Sequence, residues 1–166
     1  MEYMPVVVQA TYLTDYKIKV FFDNGEEKIA DCTKWLVGDL FVAAGGSDWA
    51  KVETLITPDF KFIESPALPV AGTYTGIREY EAFFTSVREG AGTIDADFIS
   101  MTSSETHVVA LLVLHFKDYG VSTPIAETFR IRDGRVCEIM PYFFNPNDVT
   151  KVFAGVPAIY RKKMGK

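Results

Sequence analysis

Between Pro124 and Arg132 the chain alternates without a fault. Ile125, Glu127, Phe129 and Ile131 fall on one side of an extended strand, and Ala126, Thr128, Arg130 and Arg132 on the other. An acid therefore shares the apolar side with three core residues. Arg132, Asp133 and Gly134 follow, which predicts a three-residue hairpin loop: a type I turn closed by a left-handed glycine. Ile131 would then face Arg135. Cys137, Ile139 and Phe143 join Glu127 on its side, and Glu138 lands opposite Thr128 and beside Arg130. A tight two-residue loop would set Glu138 against Phe129 instead. The first register is preferred because it pairs charge with charge, and a one-residue slip inverts every side chain.

The chain has 166 residues, 48% of them hydrophobic and 14% aromatic, enough for one substantial core. A net charge of -5 leaves no basic footprint for nucleic acid, and the basic residues at 161–166 read as a solvated tail. No apolar run reaches the roughly 20 residues of a membrane span, and the start Met1, Glu2, Tyr3 is not a cationic signal-peptide opening, so the expectation is a cytoplasmic protein without a membrane partner. Cys32 and Cys137 read as small hydrophobes, and with two histidines no metal set is expected.

Strands are expected over Pro5 to Ala10, Tyr16 to Phe22 and Glu26 to Ala30, with Asp23-Asn24-Gly25 joining the last two as a hairpin. Thr33 can cap a helix that buries Leu36, Val37, Leu40, Phe41 and Ala44 and ends at Gly45-Gly46. Ser47-Asp48 starts another, with a stripe of Trp49, Val52, Leu55 and Ile56, stopped by Pro58. A short strand from Phe60 to Glu64 leads into the loop 65–76, with a small strand near Thr73-Tyr74. A helix from Ile77 to about Glu89 places Ile77, Tyr80, Phe84 and Val87 on one side. Four antiparallel strands complete the chain: about 93–102, 107–117, 124–132 and 135–144.

Asp48-Trp49, then the run Leu55 to Phe60, then Gly72 to Ile77, and finally Glu127 to Val136 resemble SnoaL-like proteins. These belong to the nuclear transport factor 2-like superfamily, with ketosteroid isomerases and polyketide cyclases. The resemblance covers about Val37 to Phe153. It implies an α+β fold in which a cone-shaped, strongly curved antiparallel sheet wraps about three helices; residues 1–36 lie outside it and add the extra N-terminal β-hairpin read above. It further implies a pocket in the cone, a homodimer and no cofactor. The expected division is a hairpin extension over 1–36, the cone over 37–155 and the basic tail over 156–166. The stretch from Tyr16 to Glu26 resembles the opening hairpin of a small bacterial domain family of unknown function.

Carried over by position, Glu64 falls where ketosteroid isomerases hold their general-base aspartate, with Ser65 as the competing occupant. Glu127 falls on the protonated aspartate of their oxyanion hole, the kind of carboxyl that an apolar site keeps neutral. The oxyanion-hole tyrosine is replaced by Leu40. Where polyketide-cyclase-like members carry an acid after the last strand, this chain has Asn145, and Asp148 comes three residues late.

Two carboxyls in one dry pocket push each other's protonation apart, which leaves one as base and one as acid. Glu64 would abstract a proton beside a carbonyl and protonated Glu127 would hold the enolate oxygen. The plainer alternative is that Glu127 meets Arg78, Lys61 or a backbone donor and closes a polar gap. Leu40, Trp49, Phe60, Phe62, Tyr80, Phe84, Phe129, Ile139 and Phe143 are candidate ligand-binding residues for a hydrophobic small molecule. His115 is a further candidate, open between lining the pocket and bonding within the sheet. Asp95 and Asp97 are expected on a solvent or dimer face. Two functions stay open: a small-molecule-binding module without turnover, or a cofactor-independent isomerase, cyclase or dehydratase.

Overall fold

The computed structural model describes residues 3–13 and 17–165. The strand start expected at Tyr16, the side chain of Thr33 and the terminal Lys166 lie outside the described residues. Strands β1 (Val7–Tyr12), β2 (Lys17–Phe22) and β3 (Glu27–Asp31) form an antiparallel sheet of their own. Gly25 at φ 84° closes the β2–β3 turn, the conformation for which the Asp-Asn-Gly run is suited. The expected hairpin is thus two strands of a three-stranded meander.

The remaining elements are α1 (Thr33–Gly45), α2 (Trp49–Leu55), β4 (Ile56–Glu64), β5 (Gly72–Thr75), α3 (Gly76–Ala91), β6 (Ile94–Ser103), β7 (His107–Phe116), β8 (Val121–Arg132), β9 (Arg135–Phe143), α4 (Thr150–Phe153) and α5 (Val156–Met164). Asp48 caps α2 by accepting the Lys51 N–H at 3.0 Å. Ile56, expected in the helix, instead opens β4, so the strand begins two residues ahead of Pro58. The second sheet runs β5-β4-β9-β8-β7-β6. Its neighbours are antiparallel except β4 and β9, which run parallel. A register shift between Phe98 and Ser100 marks a bulge in β6, the kind of defect that bends a strand and curls a sheet. The core fills the inside of this curl, where α1, α2 and α3 lay Leu36, Val37, Val52, Tyr80 and Phe83 against Phe60, Leu112, Phe129 and Ile139. Among the described residues no helix is long and apolar enough to cross a membrane.

The β8–β9 turn departs from the expected register in two steps that cancel. Asp133 and Gly134 both have positive φ, 51° and 68°, and Arg132 pairs with Arg135, which is the tight two-residue turn. Left alone, that turn would bring Glu138 opposite Phe129 and into the core. Ile131 pairs with Val136, but Arg130 pairs with Glu138, so Cys137 is an extra residue in β9. This bulge buries Val136 and Cys137 consecutively and returns Ile139 and Phe143 to the side of Glu127, opposite Phe129 and Ile125. The expected facing survives for Ile139 and Phe143, but the place opposite Ile131 expected for Arg135 is taken by buried Val136, and Arg135 is exposed opposite Arg132. The partner of Glu138 also differs from the one expected: it is Arg130 rather than Thr128, with an ion pair of 3.2 Å.

The segment read as a solvated tail is a helix. α5 packs along α3, burying Val156, and Lys163 pairs with Glu89 at 2.9 Å. Gly90 permits this approach, since a Cβ there would stand 2.9 Å from Val156 Cγ2. The cone is thereby backed by two C-terminal helices beyond the three expected.

Candidate functional site

Glu64 ends β4 and Glu127 sits near the middle of β8; both face the hollow of the curled sheet. The hollow is a cavity of about 640 Å³. It is closed on the helical side by residues such as Leu40, Tyr80, Phe83 and Phe84, and on the sheet side by Phe62, Leu112, Phe129, Ile139 and Phe143. Its exposed lining residues Gly45, Arg88, Thr93, Ala96, Phe98 and Asp118 mark the mouth, between the C-terminal ends of α1 and α3 and strand β6. Arg88 braces that rim, donating to Gly45 O and Ser47 Oγ at 2.9 Å each.

Only 6% of Glu64 is exposed, and its Oε2 accepts the Ser65 N–H at 3.1 Å. Loss of water pushes its carboxyl up to about 8; the Ser65 N–H pulls the other way, and the Glu127 charge adds to the rise. Burial pushes Glu127 up to about 7. Each value lies well above the ordinary 4.5, so at neutral pH the pair retains at least part of one proton. Repulsion between two acids in one dry space favours that shared state. The pull of the Ser65 N–H is already contained in the value for Glu64, so the higher value there places the resting proton on Glu64.

The plainer alternative for Glu127 has no support in the geometry. Arg78 and Lys61 are exposed, and among the described residues no hydrogen bond or ion pair reaches the Glu127 carboxyl. Ser65 lies outside the cavity lining, with Oγ accepting from Ala67 N–H at 3.2 Å, so Glu64 is the occupant of that end. Asn145 and Asp148 bond each other at 2.7 Å, also outside the lining.

Leu40, Phe62, Tyr80, Phe84, Phe129, Ile139 and Phe143 line the cavity; Trp49, Phe60 and His115 do not. Trp49 and Phe60 stand behind the wall, packing against Tyr80 with centroids 6.0 and 5.0 Å away. His115 is on the outer face, bonded to Ser122 Oγ at 2.8 Å and Asp97 Oδ2 at 2.9 Å. Asp95 is on that face as well, beside Lys117 at 3.3 Å. Lining residues that the sequence reading missed include Leu112, Leu114, Phe116 and Pro141. Strand 107–116 is apolar on both sides, so its period gave no direction. The pairing does: Ala110 opposes Glu127, which turns the even-numbered residues inward. Phe153 reaches the cavity through the return of α4, for which no local signal exists.

A curled six-stranded sheet wrapped around helices, with an apolar hollow inside it, is the cone-shaped architecture of nuclear transport factor 2-like proteins. Within that class the chain belongs to the SnoaL-like domain family, whose model matches residues 37–139. No curated protein matches it in sequence. Solved structures share the fold: Bal32a, from a soil-derived mobile gene cassette, has a TM-score of 0.65 at 16% identity, covering 72% of this chain and 95% of its own. A candidate ketosteroid isomerase from Kribbella flavida gives 0.56 at 18% identity, covering 68% and 78%. A candidate polyketide cyclase from Sinorhizobium meliloti gives 0.56 at 15%, covering 64% and 93%.

Proposed function

We propose that this chain binds a flat, apolar carbonyl compound in the cone and moves a proton on it without a cofactor. The observation that carries this reading is the pairing of Glu64 and Glu127 in one open apolar cavity, each raised in proton affinity and neither neutralised by a basic side chain. In the working state the proton that rests on Glu64 has passed to Glu127, leaving Glu64 ionised beside the Ser65 N–H. Glu64 takes a proton from carbon beside the carbonyl, and the C–H electron pair becomes the enolate C=C bond. The carbonyl π pair moves to oxygen, which the Glu127 O–H holds. Return of the proton to the same carbon exchanges it, and return to a conjugated position isomerises the substrate. The labels on the Kribbella flavida and Sinorhizobium meliloti proteins agree in kind with such chemistry.

The test is proton exchange in deuterated water across a panel of flat ketones, read by mass spectrometry. Wild-type protein should speed label uptake into at least one ketone, and Glu64→Gln and Glu127→Gln should each remove the gain. Uptake that both variants support as well as wild type sinks the reading.

A second reading is favoured by Leu40. Where the resembling isomerases place a hydrogen-bond donor, this cavity presents hydrocarbon, which suits a module that holds its ligand without turning it over. Ligand seen in the cone with no exchange in any bound ketone selects that reading.

The proposal extends to a homodimer through the outer sheet face. Leu111, Ala126 and Tyr142 oppose one another across three strands there, with Leu111 42% and Tyr142 54% exposed. An uncharged row of this kind suits a second copy of itself. Leu111→Glu should halve the mass found by sedimentation, and a wild-type monomer would rule the dimer out.

A further inference from the structure

We infer that the Tyr80 hydroxyl is a second hydrogen-bond donor to the ligand oxygen, beside Glu127, so that the donor missing at position 40 on α1 is supplied from α3. The inference rests on the acid-pair reading of the cavity and adds to it a catalytic residue that the positional resemblance does not assign.

Buried phenols nearly always have a partner for their O–H. Tyr74 follows the rule: 8% exposed, it donates to Val70 O at 2.7 Å. Tyr80 is more deeply placed, 4% exposed, yet among the described residues its hydroxyl has no hydrogen-bond partner. It is also absent from the buried polar atoms sealed off without one, Thr57 Oγ1 and Thr123 Oγ1. A hydroxyl that is neither bonded nor sealed, on a residue lining the cavity, opens onto the cavity.

The ring is held to that aim from several sides. It stacks on Phe62 at 5.4 Å and 28°, and meets Phe60, Trp49 and Phe84 at 5.0, 6.0 and 6.0 Å. Phe62 ties it to both acids. Phe62 lies two residues before Glu64 on the same inward side, and it pairs with Ile139, which pairs with Phe129, two residues from Glu127. Tyr80 also feels the Glu127 charge, which adds to burial in keeping its phenol protonated. A protonated phenol, locked by rings and opening onto the cavity, is a preorganised donor.

Two probes of equal shape separate this role from packing. 2-Naphthol carries an oxygen that accepts from both donors, most strongly as the naphtholate, and its fluorescence distinguishes the two forms; naphthalene carries none. Tyr80→Phe keeps the ring and removes the oxygen. It should weaken 2-naphthol about tenfold or more, the loss of one hydrogen bond to a charged or partly charged oxygen, while naphthalene stays within twofold. Its thermal midpoint should hold or rise, because no structural hydrogen bond is removed. Naphthalene binding by the variant confirms an intact cavity. Unchanged 2-naphthol affinity, or equal loss for both probes, overturns the Tyr80 assignment. If Glu127→Gln weakens 2-naphthol while Tyr80→Phe does not, Tyr80 alone falls and the acid pair stands. If wild type binds 2-naphthol no better than naphthalene, the polar reading of the cavity falls with it.

Discussion

Glu127 and Glu138 are the same residue type on adjacent strands of one hairpin, and the sheet separates them into different chemistries. Glu138 looks outward, where Arg130 meets it across the rung at 3.2 Å in contact with solvent. Glu127 looks inward, among Ile125, Phe129 and Ile139, with no hydrogen bond to it among the described residues and with its carboxyl pushed up to about 7. An outer acid is served by water and a neighbour. An inner acid has no such neighbour and only the cavity in front of it, and holds its proton more tightly. Which face a carboxyl occupies therefore decides how tightly it holds its proton.

The strongest attempt to break this contrast exchanges each acid for its amide. On the acid-pair reading, Glu127→Gln should lower the proton-exchange rate by about a hundredfold or more, the usual weight of a positioned acid. Glu138→Gln should leave the rate within twofold. Equal losses from the two variants would mean that exchange is not a property of the inner face.

Stability against pH gives the next effect. Both inner acids bind protons more tightly in the folded chain than at the ordinary value of 4.5. The unfolded chain then holds fewer protons than the folded one as pH climbs, so folding weakens from about pH 4.5 upward and levels off beyond about 8. Below that window both states are protonated and the term vanishes. With the two carboxyls raised from 4.5 to about 8 and about 7, the total for the pair is on the order of 8 kcal/mol. Urea midpoints at pH 5 and pH 8.5 should show the fall in wild type, and Glu64→Gln combined with Glu127→Gln should flatten it. A slope that survives the double change would assign the pH effect to other groups.

The inward aim of Glu127 was legible because a period of two leaves no choice once Phe129 and Ile131 must be buried. Glu64 was legible for the same reason, through Phe60 and Phe62 on its strand. The register of the hairpin was not. Parity beyond the bulge survives a pair of one-residue offsets, so a tight turn plus a bulge at Cys137 leaves Ile139 and Phe143 inward as one three-residue loop would, and only Arg135 and Val136 exchange sides. Sequence alone does not separate those two solutions. His115 and the lining role of Leu112 were hidden because strand 107–116 is apolar on both sides, inside for the core and outside along the row containing Leu111. The docking of α5 depends on contact with Gly90 and Val156, residues far apart in the chain, and no local pattern announces it.

The turn itself sharpens the account of register. Gly134 at φ 68° is in the left-handed region that side chains avoid, so Gly134→Ala should cost about 1 to 2 kcal/mol in urea unfolding. Asp133, also at positive φ, is of a type that tolerates it, and Asp133→Gly should cost less or stabilise. Equal costs at the two positions would mean that the tight turn is not the one populated.

The smallest effect is expected where charges are most visible. On the outer face His115 bonds Asp97 and Ser122, and Arg130 bonds Glu138. Asp97 keeps 80% of its side chain in solvent, so the cost of desolvation is small and the gain from pairing is small with it. Arg130→Ala and His115→Ala should each shift stability by less than about 1 kcal/mol, and added salt should shrink the difference further. Neither change should alter 2-naphthol binding, because the sheet stands between these side chains and the cavity. A loss of binding from either variant would mean that the two faces communicate through the strands, and the separation of Glu127 from Glu138 would have to be redrawn as a coupled network.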